Sequence, residues 1–251
     1  MGKRAARRAN RRNSEQFLNQ DGDNVRHLFD TPPWSPVDES DRAQKYRKNI
    51  RAQNPAQQAV IDAIDEVPLV FAIGAAGTGK TYLAVAKAVE ALEAGKVRRI
   101  VLSRPAVEAG ESLGFLPGDL EEKMSPYLRP LYDVLCDRLS SKRLKALMAE
   151  GVIEIAPIGY MRGRTLNNAY VVIDEAQNCT YGQLKMLLTR LGWSSSMVVT
   201  GDPDQSDLLP GISGLNDVVE KLEKLGNIRA VKFSKAEVVR HPLVAEMIDA
   251  L

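Results

Sequence analysis

One stretch of eight residues decides the fold of this chain: Gly74-Ala75-Ala76-Gly77-Thr78-Gly79-Lys80-Thr81. It matches the pattern G-x-x-x-x-G-K-[ST] at every fixed position. The apolar run at 69–73 predicts a buried strand before it, and the apolar spacing over 82–94 predicts an amphipathic helix that ends before Gly95. Because the motif needs this strand and this helix, the context favours a phosphate-binding loop over a chance glycine-rich turn.

The residue types of the loop suit a nucleoside triphosphate. Gly74, Gly77 and Gly79 permit backbone conformations that other residues avoid, so successive N–H groups can point at phosphate oxygens. The N-terminus of the following helix adds positive potential. We expect Lys80 to reach the β- and γ-phosphates and Thr81 to bind Mg²⁺ through its hydroxyl.

Two further apolar runs end in residues that can complete such a site. The run at 170–173 leads into Asp174 and Glu175, and the run at 197–200 leads into a segment that contains Gln205. We predict that Asp174 holds Mg²⁺ through its water shell and that Glu175 orients or deprotonates the attacking water. The Gln205 amide can contact both a γ-phosphate oxygen and that water. The alternatives without a catalytic role are an acidic helix start and an Asp-Pro turn.

Strand and helix patterns alternate along the chain. Strands are predicted at 69–73, 99–103, 152–155, 170–174, 197–200 and 228–233, and the helices between them are predicted to end near Gly95, Gly151, Gly192 and Gly226. This alternation predicts an α/β fold, with a mostly parallel sheet covered by helices on both faces. The compact domain is expected to begin near Asn54-Pro55, a cap followed by a proline at the first helical position. Ligands of such sheets bind at the carboxyl ends of the strands, where the motifs fall.

Composition indicates a globular protein with a basic arm. The 251 residues are 44% hydrophobic, and no run reaches the roughly 20 apolar residues that span a membrane. Six Lys and Arg and no acid occur among the first twelve residues. We predict that residues 1–48 form a polar, disordered arm, which either neutralises phosphates of RNA or DNA or only keeps the chain soluble. Residues 49–251 form the predicted ATPase domain.

The remaining composition excludes several classes of function. His27 and His241 are the only histidines, too few for a histidine-rich metal site. Cys136 and Cys179 form no C-x-x-C pair, and the first residues lack the apolar core of a secretory signal. A cytoplasmic protein with reduced thiols is expected, with a redox role of the thiols as the alternative.

The motifs together resemble a known family. The phosphate loop, Asp174-Glu175-Ala176-Gln177 and Gly201-Asp202-x-x-Gln205 resemble the first motor domain of superfamily 1 helicases. A closer resemblance, to PhoH-like ATPases, is carried by the segments Leu102–Glu111, Leu113–Asp119, Pro126–Pro130, Arg162–Thr165 and Val239–Pro242. It covers the chain from about residue 54 to the C-terminus, although Ala75 replaces a proline common in the family's loop. It implies a single RecA-like P-loop NTPase domain, ATP with Mg²⁺, and a ring of subunits such as a homohexamer.

The resemblance also assigns roles to residues. Gln57 or Gln58 lies where superfamily 1 proteins often place a glutamine that contacts adenine, and Gln57 fits the position better; the alternative is a solvated helix residue. The residues assigned to nucleotide binding are Gln57, Gly74, Ala75, Ala76, Gly77, Thr78, Gly79, Lys80, Thr81 and Tyr82. Those assigned to catalysis are Lys80, Glu175, Gln205 and Arg240, and those assigned to Mg²⁺ are Thr81 and Asp174.

Several arginines remain open in role. Arg162, Arg164 and Arg240 are candidates for stabilising charge on the γ-phosphate, from the same subunit or a neighbour, and the sequence does not choose among them. A structural ion pair is the alternative for each. Arg104 and Arg129 are predicted to contact nucleic acid or another subunit.

Three functions fit these features. The leading hypothesis is an ATPase that acts as a ring-forming motor on RNA or single-stranded DNA, because one RecA-like lobe needs a second copy to supply the opposing surface. A P-loop kinase is the second, although Glu175 and Gln205 favour water over an acceptor substrate. The third is an ATP-gated assembly or scaffold without translocation, since the 6% aromatic residues form no evident stacking platform for bases.

Overall fold

The computed structural model describes residues 50–105 and 120–239 together with Met247, and for 120–127 it describes the backbone alone. The predicted arm at 1–48 and the predicted catalytic residue Arg240 lie outside the described residues. Within them, strands alternate with helices as the sequence predicts.

Six strands form one sheet in the described residues. They are β1 (Leu69–Gly74), β2 (Arg99–Arg104), β3 (Ile153–Pro157), β4 (Ala169–Ile173), β5 (Ser196–Gly201) and β6 (Ile228–Phe233). Every neighbouring pair runs parallel, in the order β3-β2-β4-β5-β1-β6, which confirms the predicted α/β fold. Because β5 lies between β1 and β4, the segments that follow these three strands meet at one edge of the sheet.

Six α-helices occur in the same part of the chain. They are α1 (Pro55–Glu66), α2 (Lys80–Glu93), α3 (Leu120–Arg138), α4 (Ser141–Ala149), α5 (Tyr181–Leu188) and α6 (Leu215–Leu222). Among the described helices, none combines the length and the apolar character needed to cross a membrane. The start of α1 is confirmed: the Asn54 side chain accepts a 2.8 Å hydrogen bond from the Gln57 N–H, and Pro55 takes the first helical position.

Side chains that alternate along the central strands enter two hydrophobic cores. Val70 and Ala72 of β1 belong to one core, which also contains buried residues of α1, α2, α3 and α4. Phe71 and Ile73 belong to the other, with buried residues of α5 and α6. Helices therefore cover both faces of the sheet, and the burial of both faces explains why β1 is an unbroken apolar run.

Several helix ends differ from the prediction. Helix α2 starts at Lys80, two residues early, because the left-handed Gly79 forms its N-cap and joins loop to helix directly. Helices α5 and α6 end before the turns at Gly192 and Gly226. There the chain tightens into i→i−3 hydrogen bonds, such as the 2.9 Å bond from the Arg190 N–H to the Leu187 carbonyl.

Gly74 joins the central strand to the phosphate loop where the backbone is most crowded. Its φ is +131°, and a Cβ at this position would lie 2.1 Å from the Phe233 carbonyl oxygen of β6. A side chain here would force β6 away from β1 as well as strain the backbone.

We expect Gly74→Ala to lower the free energy of unfolding by about 2–4 kcal/mol, from the left-handed backbone and the overpacking combined. Gly182→Ala is the matched control, because no atom lies within 4 Å of a Cβ there and the position is helical. The control is expected to raise stability by up to about 1 kcal/mol. Urea denaturation measures both variants, and equal stabilities would contradict the close packing of β6 on Gly74.

Candidate nucleotide-binding site

A cleft of about 320 Å³ opens at the carboxyl edge of the sheet, between the phosphate loop and the segments after β2, β4 and β5. Of the residues predicted from sequence, it brings together Ala76, Gly77, Gly79, Lys80, Thr81, Tyr82, Asp174, Glu175 and Gln205. Gly74, Ala75 and Thr78 belong to the loop but do not line the cleft, and neither do Gln57, Arg162 and Arg164. The sheet order therefore assembles most of the predicted site from segments distant in sequence.

The loop adopts the conformation that its glycines permit. Gly77 and Gly79 have φ of +80° and +85°, in the left-handed region. The buried Thr78 hydroxyl donates a 2.9 Å hydrogen bond to the Ala75 carbonyl and closes the turn. The loop is thus braced from within, which leaves its shape less dependent on a ligand.

Lys80 is held inside the loop. Its ammonium donates hydrogen bonds of 2.6 Å to the Gly74 carbonyl and 2.7 Å to the Ala75 carbonyl, and the residue is 8% exposed. Burial lowers the pKa of Lys80, against the opposing effect of Asp202, Glu175 and Asp174. Nearby carboxylates therefore favour the protonated lysine that a phosphate would require.

Gln57 braces the loop from behind. Its side-chain nitrogen donates a 3.0 Å hydrogen bond to the Thr78 carbonyl, and its side-chain oxygen accepts one of 2.8 Å from the Gln53 N–H. The residue is 5% exposed, so it is not the solvated residue of the alternative hypothesis. Both polar groups of the amide are bonded within the chain. A contact between Gln57 and adenine stays a prediction.

Asp174 ties three elements together. Its Oδ1 accepts a 2.6 Å hydrogen bond from the Thr81 hydroxyl of α2 and another of 2.6 Å from the Thr200 hydroxyl of β5. The residue is 2% exposed, so these bonds satisfy a carboxylate that is costly to bury. Thr200 was not predicted from sequence, since only the pairing of β4 with β5 brings it to Asp174.

The residues at this point fit Mg²⁺ bound together with phosphate. The Thr81 hydroxyl donates a hydrogen bond to Asp174, so the lone pairs of its oxygen stay available to a cation. The described residues contain no cluster of three His, Cys, Asp or Glu that could hold a metal ion. One carboxylate and one hydroxyl are typical of Mg²⁺ that completes its octahedral shell with water and substrate phosphates.

Glu175 has a strained backbone and a fixed side chain. Its φ and ψ are 54° and 41°, in the left-handed region that a residue with a side chain rarely adopts. Such conformations cost about 1–3 kcal/mol and concentrate at functional sites. The Arg104 guanidinium donates to its Oε1 at 3.3 Å, and the Gln177 amide donates to its Oε2.

Gln177 joins the acidic segment to the segment that follows β5. Its side-chain oxygen accepts a 3.0 Å hydrogen bond from the Asp202 N–H, and its side-chain nitrogen also contacts the Gln205 carbonyl at 3.4 Å. The carbonyl of Gln177 accepts a hydrogen bond from the Ser206 hydroxyl. Gln177 was not predicted as a site residue, although its place in the motif Asp174-Glu175-Ala176-Gln177 was a usable signal. Gln205 itself is exposed at the cleft.

Asp202 links the same segment to the phosphate loop. Its Oδ2 accepts a 2.8 Å hydrogen bond from the Ala76 N–H, and its Oδ1 accepts one of 3.1 Å from the Asp204 N–H. The residue is 5% exposed. Asp202 stands in the motif Gly201-Asp202-x-x-Gln205 but was not assigned to the site, and its bond to Ala76 was not predicted because the two residues are 126 positions apart.

Arg104 and Arg164 have different surroundings in the structure. Arg104 lines the cleft, and its contact with nucleic acid or another subunit stays a prediction. Arg164 makes a two-pronged ion pair with Glu154, and hydrogen bonding by Arg164 lowers the pKa of Glu154. This matches the structural alternative for Arg164. The Val239 N–H donates a 2.9 Å hydrogen bond to the Gly77 carbonyl, so the chain directly before Arg240 lies against the loop of the same subunit.

Neither Cys136 nor Cys179 lines the cleft. Both cysteines are free, and burial raises the pKa of Cys179 to about 12. Burial also raises the pKa of Cys136, helped by Asp133 and Asp137. A thiol with a raised pKa carries little thiolate at neutral pH, which argues against the redox alternative.

The fold and the arrangement of the loop, Asp174 and Glu175 place this chain in the class of RecA-like P-loop NTPases. A model of the PhoH-like protein family matches residues 49–251, and the chain belongs to that family. A PhoH-like protein of Bacillus subtilis (strain 168) is 56% identical over 204 residues, which are 81% of this chain and 64% of the relative. Protein PhoH of Escherichia coli (strain K12) is 42% identical over 251 residues, which are 99% of this chain and 71% of that protein. This chain therefore spans less than two thirds of the Bacillus relative.

A solved structure supports the fold. The large terminase from a thermophilic bacteriophage (crystal form 3) superposes with a TM-score of 0.51 and 13% identity, over 78% of this chain and 48% of the terminase. At this identity the likeness concerns the fold alone.

Substitution of Gln57 distinguishes its support of the phosphate loop from the predicted contact with adenine. We expect Gln57→Ala to weaken the binding of ATP and of GTP by a similar factor, roughly 5- to 100-fold, because a buried carbonyl loses its donor and the loop loosens. Gln58→Ala is the control, since the Gln58 side chain donates a hydrogen bond to Asp62 on the exposed face of α1. Titration with fluorescent ATP and GTP analogues measures both variants. A loss confined to the ATP analogue would instead support the contact with adenine.

Proposed function

We propose that this chain binds ATP with Mg²⁺ and hydrolyses it. The observation that carries the proposal is the contact between Thr81 and Asp174 in the cleft, with Glu175 fixed beside it. A protein that only binds nucleotide needs the loop and the cation site, but it does not need a second, constrained carboxylate. The backbone strain at Glu175 supports a role in the chemical step.

In this proposal, separate groups of the chain bind the phosphates and activate the attacking water. The loop N–H groups, the start of α2 and Lys80 bind the phosphates, and Lys80 exchanges the carbonyls of its own loop for phosphate oxygens. Mg²⁺, when bound through Thr81 and Asp174, neutralises charge on the phosphates. Glu175 orients the attacking water and accepts its proton. Gln205 is placed to contact that water and the γ-phosphate.

Removal of the Glu175 carboxylate tests this proposal. We expect Glu175→Gln to lower kcat for ATP by about 100-fold or more, because a general base contributes 10²- to 10⁴-fold. Binding of ATP is expected to stay within a few-fold of the wild type, since the phosphate contacts remain. Phosphate release with Mg²⁺ present measures turnover, and a fluorescent ATP analogue measures binding.

The control for this experiment is Glu223→Gln, which changes an exposed glutamate whose Lys232 pair, at 3.9 Å, lies outside the cleft. We expect the control to retain full turnover. If Glu175→Gln turned over ATP as fast as the control, Glu175 would not be the base and the proposal of hydrolysis by this site would fail.

We further propose a cytoplasmic ring that acts on RNA or single-stranded DNA. The described residues form one RecA-like lobe, and in the proposed ring a neighbouring copy closes over the nucleotide. Large exposed apolar side chains, such as Trp193 at 86% and Leu209 at 78%, suit contacts between subunits. Arg240, which lies outside the described residues, remains our candidate for charge stabilisation.

Nucleic-acid binding is tested with the basic arm. Removal of residues 1–12 takes away six cations. For binding of single-stranded RNA, we expect this deletion to reduce the slope of log K against log salt concentration by up to about 4. Each phosphate contact that is lost accounts for about 0.7 of that slope. Deletion of residues 13–24, which contain no Lys or Arg, is the control of equal length. Fluorescence anisotropy measures the slope, and sedimentation with ATP and Mg²⁺ measures assembly.

Either result of this experiment is informative. An unchanged slope would make the arm a solubility segment. If turnover of ATP were also indifferent to single-stranded RNA and DNA, the ATP-gated assembly without translocation would replace the motor.

A further inference from the structure

Arg104 faces both acidic residues of the cleft. Its two terminal nitrogens lie 3.7 Å from Asp174 Oδ2 and 3.3 Å from Glu175 Oε1. Backbone pairing determines this position, because the Asp174 N–H donates a 2.8 Å hydrogen bond to the carbonyl of Ser103, the residue before Arg104. The guanidinium therefore lies where the adjoining strands β2 and β4 end.

This contact differs from an ordinary surface ion pair. The Arg104 side chain is 22% exposed and that of Asp174 is 3% exposed, so the charges are only partly screened by water. A planar guanidinium can hold two neighbouring carboxylates at once, which the single ammonium of a lysine does poorly.

Glu175 is held on both carboxylate oxygens. Arg104 donates to one oxygen and the Gln177 amide donates to the other. A carboxylate with a donor on each oxygen has a fixed orientation, whereas an unheld carboxylate rotates. The strained backbone of Glu175 then points this fixed group into the cleft.

The charges of the cleft single out Arg104. Among the described residues that line it, the cations are Lys80 and Arg104. The Lys80 ammonium bonds to two carbonyls of its own loop. In this part of the chain, Arg104 is therefore the cation that lies against the pair of carboxylates.

We infer that Arg104 is a positioning residue for hydrolysis: together with Gln177 it holds the Glu175 carboxylate in the orientation from which that group accepts a proton from water. The inference rests on the proposed hydrolysis of ATP. Arg104 acts through Glu175 and not through the nucleotide, so its effect requires the carboxylate to be present.

Kinetics of Arg104→Ala, Arg104→Lys, Glu175→Gln and the double variant Arg104→Ala/Glu175→Gln test the inference. We expect Arg104→Ala to lower kcat by about 100-fold, the cost of a catalytic group displaced by about 1 Å, with KM changed by less than about threefold. Arg104→Lys should recover part of the rate, because one ammonium can hold one of the two carboxylates. In the Glu175→Gln background, loss of Arg104 should change the residual rate by less than about twofold.

The control is Arg143→Ala. Arg143 is more exposed and pairs with Glu93 at 3.8 Å outside the cleft, so full kcat is expected. A second readout does not depend on activity. Urea midpoints measured in EDTA for the two single variants and the double variant should be non-additive if Arg104 and Glu175 are coupled.

Several results would overturn the inference. A higher kcat in Arg104→Ala would mean that Arg104 restrains Glu175 instead of positioning it. A large rise in KM, or a further fall in the Glu175→Gln background, would mean that Arg104 acts on the nucleotide itself. Additive urea midpoints would mean that Arg104 and Glu175 are not coupled, which contradicts the inference. If Glu175→Gln kept the turnover of the wild type, the proposed function would be wrong. If Glu175→Gln lost turnover but Arg104→Ala kept it, this inference alone would be wrong.

Discussion

The site depends on one buried carboxylate and the two hydroxyl groups that satisfy it. Asp174 is 2% exposed, and its Oδ1 accepts hydrogen bonds from Thr81 and Thr200. A carboxylate buried without partners is strongly unfavourable, so the end of β4 is stable in this place only with α2 and β5 beside it. The same bonds set the separation between the phosphate loop and the acidic segment, and with it the width of the cleft.

Around Asp174, hydrogen bonds connect the loops of the site to each other. Gln57 bonds to the Thr78 carbonyl, Asp202 to the Ala76 N–H, and Gln177 to both Glu175 and Asp202. Such networks hold catalytic groups in position because each member limits the rotation of the next. Strain at Glu175 is retained within this network, as expected where a functional orientation is worth more than local stability.

Sequence reasoning identified the strands, the loop and the acidic segment, and it placed them at one edge of a parallel sheet. It was less successful in predicting which side chains form hydrogen bonds and ion pairs with each other. The ion pairs of Arg104 with Asp174 and Glu175 were not predicted, and Thr200, Gln177 and Asp202 were not among the residues assigned to the site. The reason is the separation along the chain: Arg104 and Glu175 are 71 residues apart, and Thr200 and Asp174 are 26 residues apart. No local pattern records which side chains will meet across strands.

The sequence by itself determined the structural features that depend on residues close together in the chain. Glycines supplied the left-handed turns of the loop, apolar runs and periodic patterns specified strands and helices, and Asn54-Pro55 started α1. The tertiary structure alone decided the strand order, the burial of Gln57 and the ion pairs of Arg104 and Arg164. Steric limits and hydrophobic periodicity act over a few residues, whereas the choice of a polar partner is made only when the sheet brings distant segments within hydrogen-bonding distance.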